Sequence, residues 1–120
     1  MSFRVLIGGC RSYANYSAFC SCMDLLLPQI TTESDIIIMS GGCRGTDALA
    51  EQYAAAHGYA IERYVAEWAR YGRAAGPIRN RIMVECADYV IAFWDGKSCG
   101  TRSLISYTKK AQKPLYIIRI

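Results

Sequence analysis

No stretch of the 120-residue chain is long and apolar enough to span a bilayer. A helical span needs about 18 to 20 consecutive apolar residues, and the longest aliphatic blocks, Asp35–Met39 and Tyr116–Ile118, have strand length. The first residues, Met1–Gly8, hold no long apolar core followed by a small-residue cleavage site. The sequence therefore reads as that of a cytoplasmic protein with no membrane partner. Metal-ligand spacing is missing as well. The only histidine is His57, and the six cysteines include no C-x-x-C pair: Cys20 and Cys22 stand two apart on a predicted helix, and Cys10, Cys43, Cys86 and Cys99 are isolated. No metal site is expected from such a pattern, and no cofactor is named by it. A disulfide scaffold is excluded too, because such frameworks compensate for thin cores, whereas 52% of these residues are hydrophobic. With only 20% charged residues and no linker, repeat or low-complexity tract, residues 1–120 read as one folded domain.

What the chain does contain is a regular alternation of short strand-like and longer helix-like segments. Phe3–Ile7 is a β-branched run closed by Gly8-Gly9, and Ala14–Leu27 has apolar residues at helical spacing up to Pro28. Asp35–Met39 reads as a strand buried on both faces. Thr46–His57 follows as an alanine-rich helix with Gly58 at its C-cap. Ala60–Val65, Tyr89–Trp94 and Leu115–Ile120 are further strands. Pro77–Cys86, with proline in its first turn, and Thr101–Gln112 are further helices. Parallel neighbours need crossovers, so this order predicts an α/β, Rossmann-like three-layer sandwich with a five-stranded, mainly parallel sheet and about four helices. The longest irregular stretch, Ala66–Gly76, precedes the third helix, and loops of that length often cover a site.

In open α/β sheets ligands bind outside the carboxyl ends of the strands, which makes the strand-to-helix loops the informative ones. Here they are rich in glycine and cations. The first is Gly8-Gly9-Cys10-Arg11-Ser12-Tyr13, the second Ser40-Gly41-Gly42-Cys43-Arg44-Gly45-Thr46-Asp47, and the fourth Asp95-Gly96-Lys97-Ser98-Cys99-Gly100-Thr101. Glycines let the backbone turn sharply and present N–H groups, and each following helix adds its positive end, so such loops hold oxyanions. The formal charge of +4 is modest. Yet Arg11, Arg44, Arg70, Arg73, Arg79, Arg81, Lys97 and Arg102 all fall in or beside these loops, which concentrates cation on one predicted edge. That distribution favours a small phosphate-bearing ligand and makes a long nucleic acid the less favoured partner. Neither the P-loop spacing nor G-x-G-x-x-G is present.

Three segments in order carry a family resemblance. They are Ser40–Asp47 leading into a helix with Glu51; Trp68 and Gly72 followed by Ala75-Gly76-Pro77-Ile78-Arg79-Asn80-Arg81-Ile82-Met83; and Ala87-Asp88 to Phe93 with the Gly96–Thr101 loop. Over nearly its whole length the chain resembles the SLOG superfamily of Rossmann-like nucleotide-binding proteins, and within it the YspA-like domains. It is more distantly similar to the DNA-processing protein A family, which binds single-stranded DNA, and to the lonely-guy phosphoribohydrolases. The resemblance implies a nucleotide-type cleft and, as in many SLOG proteins, a homodimer. Aligning Gly100-Thr101 with the Gly-Thr of the hydrolases puts Leu104 where their glutamate stands, and an aliphatic residue moves no proton.

The expected ligand-binding residues are accordingly Gly9, Arg11, Ser12, Ser40, Gly41, Gly42, Arg44, Gly45, Thr46, Trp68, Arg79, Asn80, Asp95, Ser98, Gly100 and Thr101. Arg79 is expected to fork onto a phosphate, Asn80 to reach a ribose hydroxyl or fix the loop, and Trp68, with Tyr71, to stack on a base. Asp95, Glu67 and Asp47 are the carboxylates open to a catalytic role, with helix capping as the plainer explanation of Asp47. Tyr53, Tyr64, Tyr89, Tyr107 and Tyr116 lie inside predicted elements and read as packing. The leading expectation is a nucleotide-binding sensor or processing domain. The alternatives are a nucleotide N-glycoside or phosphoester hydrolase and a single-stranded nucleic-acid binder.

Overall fold

The structure, a computed structural model, describes residues 2–120. Its elements run β1 (Phe3–Gly9), α1 (Tyr16–Ile30), β2 (Ile36–Ser40), α2 (Thr46–His57), β3 (Ala60–Arg63), α3 (Trp68–Tyr71), α4 (Ala75–Cys86), β4 (Tyr89–Trp94), α5 (Cys99–Lys110) and β5 (Leu115–Arg119). The five strands form one parallel sheet in the order β3-β2-β1-β4-β5. No helix among the described residues is long and apolar enough to cross a membrane.

Alternation along the strands sorts the core into two layers. Successive side chains of a strand point to opposite faces, so Val5 and Ile7 of β1, Ile36 and Ile38 of β2, and Ile91 and Phe93 of β4 pack with Phe19, Met23, Leu49 and Tyr53 of α1 and α2. Leu6, Met39 and Val90 turn the other way, onto Met83 and Val84 of α4 and Leu104 of α5. The centre of the sheet is fully enclosed, which is why its strands read as continuous aliphatic runs. The small residues of α2 serve this packing: Ala50 and Ala54 are fully buried against the sheet.

Several boundaries differ from the expected ones. Helix α1 starts at Tyr16 because the Asn15 side chain accepts the Ala18 amide (3.0 Å), and it runs past Pro28 to Ile30. Proline forfeits one ladder bond, but the turn closes through the Thr31 amide on the Leu27 carbonyl. Helix α4 begins at Ala75, two residues before Pro77, since none of the first-turn amides needs an intrahelical partner. Helix α5 begins at Cys99 and ends at Lys110, with Gln112 at φ 57° closing the turn into β5. The stretch Ala66–Gly76 is not irregular. It folds as α3 followed by a 3₁₀ turn, Gly72–Ala74, and Trp68 packs on Gly76, where a β-carbon would stand 3.2 Å from the ring.

Because β1 is paired with β2 on one side and β4 on the other, the chain reverses direction across the sheet at β1. Strand order switches there, and the two strand ends splay their loops apart to leave a crevice.

Candidate functional site

A cleft of about 430 Å³ occupies that switch point. Its size falls within the roughly 300 to 1,000 Å³ of small-molecule sites. Its floor is the end of β1, Ile7 to Gly9. One wall is the β1–α1 loop with Arg11 and Ser12, a second the β2–α2 loop with Gly41, Cys43, Arg44 and Asp47. Arg79, Asn80 and Met83 of α4 and the start of α5, Ser98 to Thr101, complete it.

The two glycine loops are stitched to each other by backbone contact. Gly45 sits at φ 75°, and any side chain there would collide with the Arg11 backbone. The Cys10 carbonyl accepts both the Thr46 amide (3.1 Å) and the Thr46 hydroxyl (3.0 Å). Ser40 donates to Glu51 (2.8 Å) and accepts the Gly42 amide (3.0 Å), while Glu51 forks onto Arg63 with bonds of 3.0 and 3.1 Å from Nε. Those bonds from Arg63 hold the Glu51 carboxyl below its ordinary range. Ser40, Gly42, Gly45 and Thr46 thus frame the cleft without lining it.

The expected cations divide in the same way. Arg79 is drawn into the frame: its Nη1 donates to the Gly41 carbonyl (2.7 Å) and the Tyr64 carbonyl (3.3 Å), and its Nε to Asn80 (3.0 Å). Only Nη2 is left toward the cleft, 4.0 Å from the Cys43 sulfur. Arg11 and Arg44 are exposed, line the cleft, and make no hydrogen bond or ion pair among the described residues. The other five expected cations do not line it. Arg70 sits 3.8 Å from Glu67, and Arg102 lies over the Trp94 ring. The field along the edge therefore narrows to three arginines.

The carboxylates separate more sharply. Asp95 accepts the Lys97 and Ser98 amides at 2.8 Å each, and these bonds, Ser98 foremost, pull its pKa down to about 2. It anchors the β4–α5 loop and does not line the cleft. Glu67 is exposed beside Arg70, away from the site. Asp47 is the only carboxylate in the lining, and it is 7% exposed. Burial pushes its pKa up to about 6, against the pull of the Cys43 amide and the Arg79 charge. It does not cap its helix: its Oδ2 accepts the Cys43 amide (3.2 Å), and the N-cap position belongs to Gly45.

Trp68 lies outside the lining, half exposed on α3, and Tyr71 lies with it. No aromatic ring lines the cleft among the described residues; Met83, Leu104 and Ile7 supply its apolar surface. Met83 could have been found from sequence, one helical turn after Arg79 and on the same face. Cys10, Cys43 and Cys99, one from each glycine loop, also line it. Cys10 is buried with its sulfur 3.1 Å from the Ser98 hydroxyl.

A model of the YAcAr family, the YspA, cpYpsA-related SLOG family, matches residues 3–71 of this chain. The chain belongs to that family. The matched SLOG segment runs from β1 through α3 and carries both stitched loops, with α4, β4 and α5 completing the cleft beyond it. Over 119 residues the chain is 32% identical to the Gene 61 protein of Mycobacterium phage D29, covering 93% of each. Among solved structures it is similar to TM1055, with a TM-score of 0.67 at 19% identity over 94% of this chain and 72% of that one. It is similar also to DNA processing protein A from Helicobacter pylori, a structure described for its single-stranded DNA binding mode. The TM-score there is 0.65 at 23% identity, over 96% of this chain and 64% of that one. These two likenesses establish a shared α/β fold.

Proposed function

We propose that this SLOG-family chain binds a nucleotide, or a nucleotide-derived phosphate ligand, in the cleft at the carboxyl edge of its sheet, as a sensing or processing domain. One observation carries the reading: Arg11 and Arg44, which have no hydrogen-bond or ion-pair partner among the described residues, meet an uncapped helix start in a single cleft. The amides of Cys99, Gly100 and Thr101 occupy the first turn of α5, where no intrahelical acceptor exists, and the N-cap Ser98 side chain satisfies none of them. A phosphate seated there accepts those amides, meets the positive end of the helix dipole and is held by guanidinium forks from the opposite wall. Met83, Leu104 and Ile7 offer apolar surface to a base.

Similarity to a DNA processing protein A favours single-stranded DNA as the second reading. Against it stands the absence of aromatic rings in the lining, since single-strand grooves gain much of their affinity by stacking bases on such rings.

A thermal-shift screen with nucleoside monophosphates, ADP-ribose, dinucleotides and short oligonucleotides tests both. The expected result is a higher melting temperature with a mononucleotide-type ligand, abolished in Arg11→Ala and Arg44→Ala while the unliganded melting temperatures stay unchanged. If no nucleotide shifts the wild type, or if both variants keep the shift, the reading fails. Oligonucleotide binding that falls steeply with salt and resists mononucleotide competition establishes the second reading instead.

A further inference from the structure

Every strong polar group lining the cleft is a donor or a neutral hydroxyl or amide, with one exception. Arg11, Arg44 and Arg79 bring guanidinium groups, α5 brings its first amides, and Asp47 alone brings a carboxylate. That carboxylate is more than nine-tenths buried yet only half satisfied. Oδ2 accepts the Cys43 amide, whereas Oδ1 has no hydrogen-bond partner among the described residues. Among the described residues no side-chain oxygen sealed from solvent lacks a partner, so Oδ1 is the part of Asp47 open to the cleft. Gly41 lies directly against it: a β-carbon there would stand 2.9 Å from Oδ2 and 2.7 Å from the Arg79 guanidinium, so only glycine lets Asp47 and Arg79 close over this turn.

A bare phosphate gains nothing from such a group, because two anions in one cleft repel. A ligand that carries hydroxyl donors next to its phosphate satisfies Oδ1 and lets the arginines keep the anion. In a nucleotide the part adjoining the phosphate is the sugar, and Asp47 sits in the same loop-to-helix segment as Arg44. We infer that Asp47 is a specificity residue whose free oxygen accepts the sugar hydroxyls of a ribonucleotide, so that the cleft selects ribose phosphates over their deoxygenated counterparts and over inorganic phosphates. This rests on the nucleotide reading above and adds the ligand's sugar to it.

Three charged groups bear on Asp47 from the elements packed around it. Arg79 of α4 and Arg11 of the β1–α1 loop favour its anion, and Glu51, one turn on in α2, opposes it. At pH 7.5 it is ionised and accepts only.

Calorimetric titration at pH 7.5 tests the inference, using the ribonucleoside 5′-monophosphates, their 2′,3′-dideoxy counterparts and inorganic pyrophosphate. The wild type is expected to bind its best ribonucleotide about tenfold or more tightly than the dideoxy compound, as suits hydrogen bonds to a charged acceptor. In Asp47→Asn that gap shrinks to about twofold while pyrophosphate binds more tightly, because a like charge has gone. A wild type that holds both sugars equally overturns the inference and leaves the nucleotide reading intact. So does an Asp47→Asn variant that loses all three ligands in parallel, which marks Asp47 as scaffold. A wild type that binds none of these phosphates overturns both.

Discussion

Replacing Asp47 with asparagine is expected to stabilise the protein at neutral pH, and the gain is expected to vanish in acid. The carboxyl titrates near 6 in the folded state against 3.8 in an ordinary setting, with burial as the main cause. At about 1.4 kcal/mol per pH unit, that difference makes the ionised carboxylate cost about 3 kcal/mol of folding free energy. The folded pKa lies above the unfolded one, so the folded state holds the proton more tightly. Below about pH 4 both states are protonated and the cost is absent. Between about 4 and 6 stability falls as pH rises, and above 6 the full cost is present. Asparagine keeps an oxygen for the Cys43 amide (3.2 Å) and carries no charge to desolvate. Urea unfolding of the wild type and Asp47→Asn at pH 4.5 and 7.5 should therefore give a variant more stable by about 1 to 3 kcal/mol at pH 7.5, and by much less at pH 4.5. A variant less stable than the wild type at both pH values would refute the reasoning, because Asp47 would then be a net stabiliser through Arg79 and Cys43 rather than a buried charge.

Two further substitutions test the frame of the cleft. Gly45→Ala, at φ 75° against the Arg11 backbone, is expected to cost about 2 to 4 kcal/mol in urea unfolding. Gly58→Ala, at φ 71° with nothing near its missing side chain, should cost only about 1 kcal/mol, and equal costs would mean the two loops are not held in contact. Arg79→Ala strips the donors from the Gly41 and Tyr64 carbonyls and should lower stability by about 2 to 3 kcal/mol. If instead it leaves stability untouched and removes only ligand binding, Arg79 is a free phosphate ligand and not a brace.

The fold was legible in the sequence because the information that sets it is local and repeated. Ile36–Met39 and Val90–Phe93 are apolar on both faces, as suits a covered parallel sheet, and Gly58 marks a helix end by the left-handed conformation it adopts. The cleft was legible to the level of loops for a related reason: glycines at strand exits must lie on the carboxyl edge. What separated lining from frame was not local. Ser40, Thr46 and Arg79 are polar residues in the right loops, but their partners, Glu51, Cys10, Gly41 and Tyr64, come from other elements and take up their hydrogen bonds. Trp68 was misplaced for the opposite reason. Its stretch was read as an irregular loop covering the site, and the packing of its ring on Gly76 folds that stretch into a helix off the cleft.

The difference between frame and lining also decides how the modest charge of the chain is to be understood. Fourteen lysines and arginines stand against ten acids, but two of those near the site are already committed: Arg63 to Glu51 and Arg79 to carbonyl oxygens. Each committed cation loses most of its pull on a ligand and gains a structural role, holding the strand exits where the glycine turns can face one another. Arg11 and Arg44 are left without partners among the described residues, and Asp47 is left buried beside them at a cost to stability. A fold selected for stability alone would exchange that aspartate for a neutral residue and pair those arginines. The two features have opposite signs within one cleft, and they suit a ligand that carries its anion and its hydroxyl donors side by side.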